Sequence, residues 1–239
     1  MSLRPLICAT TLMLSSLTAT AQGVDAQYTL SLRGITGGTI ALRGRDQGGS
    51  YAVSSAAQAS GMVGALVKYG FEGSVQGTVN GGRYAPTIYT EVEDDDGERT
   101  SSVTRFRNGT PTDVTFDPPR APEPHDVDPT AQRGVIDPLT ALYDVLQPVD
   151  AAGACDRRYD LFDGRGVSRL TLAAPRARGD GTVTCASRYL RVRGYSPEDL
   201  AKRPSVDMTF IYAPLPDGRV QVSEIRSSTR LGDMVLRRQ

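Results

Sequence analysis

Residues 28–43 read YTLSLRGITGGTIALR, and this stretch decides the fold class. Apolar side chains occupy every second position in two runs, 28–32 and 39–43. A period of two is typical of antiparallel strands that bury one face. The pair Gly37-Gly38 between the runs tolerates positive φ, so we expect a hairpin that turns there.

The same alternation continues through most of the chain. It predicts further strands near 51–57, 71–79, 84–94, 98–107, 110–116, 157–162, 167–174, 181–193, 205–213, 219–227 and 231–237. A run of strands with short turns favours a mainly β protein. We predict one curved antiparallel sheet that forms an open barrel or β-spiral, with two or three short helices.

Three segments have helical spacing. The first is 60–70, although its two internal glycines weaken a helix there. The second follows Asp137, a good N-cap, and ends at Pro148; a third short helix begins after Ser196. The apolar stripe of the second helix should pack against the concave face of the sheet. Its members are also candidate binding residues: Leu139, Leu142, Tyr143 and Leu146.

The stretch 117–134 contains five prolines and no periodic apolar residues, so we expect a long extended loop. It divides the strands into two sets. A domain boundary there is one interpretation. We prefer a single β-rich domain, residues 22–239, in which the loop connects two parts of one sheet.

Residues 1–21 predict a secretory signal peptide. One positive charge precedes a mostly apolar stretch, 6–17, and small side chains at Ala19 and Ala21 suit cleavage after Ala21. The apolar stretch is shorter than the ~20 residues that a bilayer-spanning helix needs. We therefore expect a periplasmic protein that is not an integral membrane protein.

Two cysteines, Cys155 and Cys185, remain after cleavage, and two thiols in an oxidising compartment are usually paired. We expect a structural disulfide worth about 3–4 kcal/mol. A neighbour-to-neighbour strand order would place the two strands too far apart for a bridge, so Cys155 should lie just before its strand. With His125 as the one histidine, we expect no metal site and no cofactor.

The composition restricts the classes of partner. The hydrophobic fraction is 39%, the charged fraction is 23% and the formal net charge is zero, all ordinary for a globular protein. A neutral chain gives no general argument for nucleic acid as a partner, and we expect none.

Arginines surround the cysteine region, at 157, 158, 165, 169, 188, 191 and 193. Arg157, Arg158 and Arg165 are candidates for binding a phosphate-bearing or acidic partner. The alternative is that the arginines lie on solvated strand faces and pair with nearby aspartates.

Four motifs occur in a fixed order: YTLSLRG at 28–34 followed by Gly38, DPLTAL at 137–142, CD at 155–156 and FDGR at 162–165. Together they resemble an uncharacterised bacterial periplasmic family, the domain of unknown function 3108. The resemblance implies a signal peptide and no assigned activity.

We expect a non-catalytic periplasmic cell-envelope factor that binds a lipid or an envelope protein in or on the barrel. A curved sheet leaves a concave apolar face, which suits such a ligand. One alternative is an envelope hydrolase acting on a glycan or an ester, which requires ionisable side chains together in a cleft. Another is a structural scaffold that binds partners at exposed strand edges.

Overall fold

The structure is a computed structural model that describes residues 23–64, 68–229 and 232–239. The expected signal peptide, residues 1–21, lies outside the described residues.

Fourteen strands are present in the described part of the chain. They are β1 (Gly23–Leu32), β2 (Ile35–Gln47), β3 (Ser50–Ala59), β4 (Tyr69–Asn80), β5 (Arg83–Asp95), β6 (Glu98–Arg107), β7 (Thr110–Asp117), β8 (Arg157–Phe162), β9 (Val167–Leu172), β10 (Arg176–Ala177), β11 (Val183–Arg193), β12 (Ser205–Pro214), β13 (Val220–Thr229) and β14 (Gly232–Arg238). The helices are α1 (Gly61–Gly64), α2 (Pro138–Leu146) and α3 (Pro197–Lys202), with 3-10 turns at Pro129–Ala131 and Ala151–Gly153.

All these strands belong to one antiparallel sheet, in the order β7-β6-β5-β4-β3-β2-β1-β14-β13-β12-β11-β9-β8, with β10 paired to β11. The first and last strands of the chain pair with each other, Tyr28 opposite Arg238. The sheet curls into a nearly closed barrel whose one seam lies between β7 and β8. The predicted fold class is therefore confirmed.

The first hairpin turns at a different place from the one predicted. Its two turn residues are Arg33 and Gly34, both with positive φ (51° and 80°), as a tight two-residue hairpin turn requires. Gly37 and Gly38 lie inside β2 instead. Gly38 is needed there for close approach, because a Cβ would lie 2.6 Å from the carbonyl oxygen of Gln58.

The end of the proline-rich loop bridges the seam of the barrel. The Val135 amide donates to the Gly109 carbonyl in the β6–β7 turn, at 3.1 Å. The next residue, Ile136, donates to the Asp160 carbonyl at 3.0 Å and accepts from the Phe162 amide at 2.9 Å, both on β8. The residues just after the loop thus hydrogen-bond to the β6–β7 turn on one side of the seam and to the edge strand β8 on the other.

Helix α2 begins where the sequence predicts. The Asp137 carboxylate accepts from the Thr140 amide at 2.9 Å, which is the expected N-cap. The helix packs inside the barrel, and its buried residues are Leu139, Thr140, Ala141, Tyr143, Val145 and Leu146. Tyr143 lies directly on β2, where a Cβ at Gly44 would approach its ring to 2.3 Å. We refer to α2 as the plug.

The other two helices differ in how well they were predicted. The third, α3, begins after the Ser196 N-cap as expected. The first is wrong in extent: α1 covers four residues, and Gly70, expected to end it, belongs to β4. Gly61 has φ +63°, which is outside the helical region, and residues 65–67 lie outside the described residues.

The predicted disulfide joins Cys155 to Cys185, with Cα atoms 5.6 Å apart. Cys155 lies two residues before β8, as expected, and Cys185 lies within β11 opposite Phe210. Both cysteines are buried. The bridge therefore fastens the chain that follows the plug to the inner face of the sheet.

Candidate functional site

The inner face of the barrel changes from fully buried to half-buried along the strands. On β1, Val24, Ala26 and Tyr28 are buried, whereas Leu30 and Leu32 on the same face are half-buried. Strands β3 and β12 show the same change, because their residues near the plug are buried and those farther away are not. One end of the barrel is closed by the plug, and the other exposes apolar surface.

We call the half-buried apolar part of the inner face the open end. Its members are Leu30, Leu32, Ile40, Ala57, Phe71, Met208, Met234 and Leu236. The strand register brings several of them side by side: Leu30 lies opposite Leu236, and Leu32 lies opposite Met234. They extend the hydrophobic core, since Ile40, Met208 and Leu236 pack directly against it.

The apolar stripe of α2, proposed from the sequence as a binding surface, is mostly enclosed. Leu139, Tyr143 and Leu146 are 4%, 0% and 2% exposed, whereas Leu142 is half-buried. Three of the four side chains therefore fill the barrel.

Arg157 holds the plug in place. Its guanidinium donates to the Asp144 carbonyl at 3.1 Å and to the Gly153 carbonyl at 2.8 Å, and lies 3.4 Å from the Asp144 carboxylate. The Tyr159 hydroxyl donates to that carboxylate at 2.7 Å. Burial raises the pKa of Asp144, whereas the hydrogen bond from Tyr159 and the charge of Arg157 act to lower it. Arg157 is thus committed to contacts within the chain.

Other arginines near the disulfide are paired with aspartates on the sheet surface. Arg169 binds Asp160 at 2.6 Å, and Arg188 binds Asp207 at 2.6 Å. Arg158 is largely exposed and lies 3.9 Å from Asp160. The structure does not bring Arg157, Arg158 and Arg165 together as one binding patch, because Arg157 and Arg158 lie at the start of β8 and Arg165 lies in the turn after its end.

A network of tyrosines and aspartates surrounds the plug. The hydroxyls of Tyr84 and Tyr143 both donate to the Asp46 carboxylate, at 2.7 and 2.8 Å. On the other side of the Tyr143 ring, Tyr51 shares a hydrogen bond of 2.6 Å with Thr140 of α2. Asp137 is fully buried at the helix start, and this burial raises its pKa to about 6.

A pocket of about 190 Å³ lies at the seam, and we call it the seam pocket. It is lined by Glu91, Glu93, Thr100, Ser101, Ser102, Phe116, Pro118, Pro119, Arg120 and Arg165. Glu91 and Glu93 come from β5, on the face that also carries the buried Tyr89. The proline-rich loop and the β8–β9 turn, which carries the FDGR motif, supply the arginines.

Glu91 is a half-buried charged group of the seam pocket. Its carboxylate accepts from the Tyr89 hydroxyl at 2.7 Å and from the Ser102 hydroxyl at 3.0 Å. Burial raises the pKa of Glu91, because desolvation disfavours the charged form; the nearby carboxylates of Asp163 and Glu93 act in the same direction.

Sequence reasoning missed the two glutamates. The available signal was their spacing: Glu91 and Glu93 continue the alternation of Tyr89, so a strand with that residue buried turns both inward. Carboxylates at inward positions contradict the apolar pattern of a core, and such violations concentrate at functional sites.

The aspartates that follow His125 bind other groups of the same chain. His125 is exposed, Asp126 binds Arg120 at 2.6 Å, and Asp128 caps the 3-10 turn through the Thr130 amide. Within the part of the chain that the structure describes, no three His, Cys, Asp or Glu side chains come together as a metal-binding group. The described helices also include none with the length and apolar character of a membrane span.

The fold and the inner face define a class: a nearly closed antiparallel β-barrel, plugged by one helix and open to apolar contact at the other end. The chain belongs to the family described as protein of unknown function (DUF3108), whose model matches residues 27–214. No curated protein matches the sequence.

A solved structure shows the same fold. It is the crystal structure of a β-barrel-like protein of domain of unknown function DUF1849 from Brucella abortus, with a TM-score of 0.50 and 10% sequence identity. The match covers 91% of this chain and 96% of that chain. At this identity the likeness concerns the fold alone.

Proposed function

We propose that the protein is a non-catalytic periplasmic cell-envelope protein that binds the acyl chain of a lipid at the open end of its barrel. The observation that carries this proposal is the change in burial along the inner face. The side chains that face inward near the plug are buried, and the apolar side chains beyond them are half-buried on six strands, β1, β2, β3, β4, β12 and β14.

A bound acyl chain would complete this burial. Each methylene group removed from water contributes about 0.8 kcal/mol, so about ten methylenes against Leu30, Leu236 and Met234 would contribute about 8 kcal/mol toward the cost of association. The plug limits the site to one end, because the fully buried Tyr143 and Val145 fill the other. The ligand therefore enters only part of the barrel.

The test compares two neighbouring residues of β14 that lie on opposite faces. Met234 faces inward at the open end, and Val235 faces outward. Binding is measured by displacement of a fluorescent fatty acid. Met234→Gln should weaken binding about tenfold, because a bound acyl chain would separate the glutamine amide from water without giving it a hydrogen-bond partner. Val235→Gln should bind as the wild type does. Equal affinity of the two variants, or no binding by the wild type, would refute the proposal.

A hydrolase acting on a glycan or an ester is the second candidate, favoured by one observation. The seam pocket places Glu91 and Glu93 together, and the raised pKa of Glu91 suits a general acid. Peptidoglycan and short-chain aryl esters are the substrates to assay. Hydrolysis that Glu91→Gln abolishes while leaving the unfolding midpoint unchanged would support this candidate; the absence of turnover on both would dismiss it.

A further inference from the structure

The seam pocket and the open end are neighbours on one inner face. Glu93 of β5 lies directly opposite Phe71 of β4, and Phe71 lies opposite Ala57 of β3. Phe71 and Ala57 belong to the open end, whereas Glu93 lines the seam pocket. A ligand whose chain contacts Phe71 therefore has its polar end within reach of the seam pocket.

One wall of the seam pocket carries negative charge without a compensating cation. Glu91 accepts hydrogen bonds from two hydroxyls, and Glu93 accepts one from Tyr69 at 3.4 Å. Among the residues that the structure describes, no lysine or arginine forms an ion pair with Glu91 or Glu93. Half-buried carboxylates in this state attract a cation that can donate hydrogen bonds.

The lining of the seam pocket also includes two arginines, Arg120 and Arg165. Arg120 lies against the Phe116 ring, 4.7 Å from its centroid, and is bound by Asp126. Arg165 lines the same pocket from the β8–β9 turn and is exposed; its charge helps to lower the pKa of Asp126, but it forms no ion pair within the described residues. A guanidinium in this position is suited to a phosphate, which it binds through two parallel hydrogen bonds.

We propose that the seam pocket binds the polar head group of an amphiphile that carries both an ammonium and a phosphate. The ammonium lies against Glu91 and Glu93, and the phosphate lies against Arg165. This inference rests on the proposed function, because the open end holds the acyl chain of the same molecule. The pocket volume of about 190 Å³ suits a small head group, well above the ~10–15 Å³ that one water requires.

Head groups with one kind of charge fit this pocket less well. A purely anionic head group would place its charge near the two glutamates, and a purely cationic one would place its charge near Arg165. Like charges at close range disfavour each arrangement. The pocket therefore selects a zwitterion over a phosphate lipid of the same chain length that lacks the ammonium.

The experiment measures binding of two short-chain lipids, dihexanoyl phosphatidylethanolamine and dihexanoyl phosphatidylglycerol, below their critical micelle concentrations by calorimetry. The wild-type protein should bind the ethanolamine lipid at least about tenfold more tightly. Glu93→Gln should remove most of that preference while leaving the glycerol lipid's affinity unchanged or improved. Arg165→Gln should weaken both lipids, and the control Glu72→Gln, an exposed side chain of β4, should change neither.

The outcomes separate this inference from the proposed function. Equal affinity for both lipids, or a preference that is unchanged in both Glu93→Gln and Glu91→Gln, overturns the head-group site while the acyl-chain site stands. Failure of the wild type to bind either lipid or a fluorescent fatty acid overturns the proposed function and this inference together. Glu91→Gln is the second variant because Glu91 lines the same pocket. If both variants still prefer the ethanolamine lipid, neither glutamate binds the ammonium.

Discussion

Replacing Gly44 by alanine tests whether the plug lies against β2. The new Cβ would lie 2.3 Å from Cε2 and 2.7 Å from Cδ2 of Tyr143, far closer than carbon atoms approach. The ring cannot easily move away, because Tyr143 is fully buried and its hydroxyl is bound to Asp46 at 2.8 Å. Overpacking of this kind destabilises a core by about 1–3 kcal/mol.

The assay is urea unfolding, with thermal unfolding as a second measure. Gly44→Ala should lower the urea midpoint without changing the slope of the transition. Each kcal/mol corresponds to a fall of about 2–4 °C in Tm for a domain of this size. The control is Gly70→Ala, because a Cβ there meets only the Asp94 Cβ, at 3.8 Å. If Gly44→Ala is as stable as Gly70→Ala, the plug is not packed on β2 and this account of the barrel is wrong.

Three further predictions concern stability. Replacing Cys155 and Cys185 together by serine should lower the free energy of unfolding by about 3–4 kcal/mol in chemical denaturation, and an unchanged midpoint would argue against the bridge. The pKa of Asp137 is raised to about 6 in the folded state, so the protonated carboxyl group stabilises the fold. This stabilisation should be complete below about pH 4 and should be lost as the pH rises through about 6. Asp137→Asn, which retains a capping side chain, should remove that part of the pH dependence. If the free energy of unfolding depends on pH in the same way in the wild type and in Asp137→Asn, the prediction is wrong. Arg157→Ala should destabilise the fold by about 1–3 kcal/mol, since Asp144 loses its cation, whereas Arg158→Ala at a largely exposed position should change the midpoint little; similar effects of the two would show that the contacts of Arg157 are unimportant.

The strands were predictable because their signal is local. An inward side chain at every second position follows from the geometry of a strand, so the run from 205 to 213 could be assigned with Phe210 and Tyr212 in the core. The N-cap of α2 was predictable for the same reason, because Asp137 and Pro138 act within one turn.

The position of the first turn was not predictable from local signals. Both Arg33-Gly34 and Gly37-Gly38 offer a glycine where a hairpin turn needs one. The choice depends on the neighbouring strand, since the Gln58 carbonyl of β3 leaves no room for a Cβ at Gly38. A glycine required for close approach looks the same in the sequence as one required for positive φ.

The seam pocket was hidden for a related reason. Its glutamates come from β5, while Arg165 comes from the β8–β9 turn, more than 70 positions later in the chain. Only the curvature of the sheet and the crossing of the proline-rich loop bring these groups together. Sequence patterns identified Arg165 as a candidate but gave no reason to place it beside Glu91.

An acyl chain held at the open end should remain bound when the protein is purified gently. Native mass spectrometry of protein isolated without detergent from the compartment in which it resides, followed by organic extraction, detects such a ligand. We predict one co-purifying amphiphile per chain, with occupancy reduced in Met234→Gln and retained in Val235→Gln. Protein that carries no amphiphile in its native compartment would contradict the account.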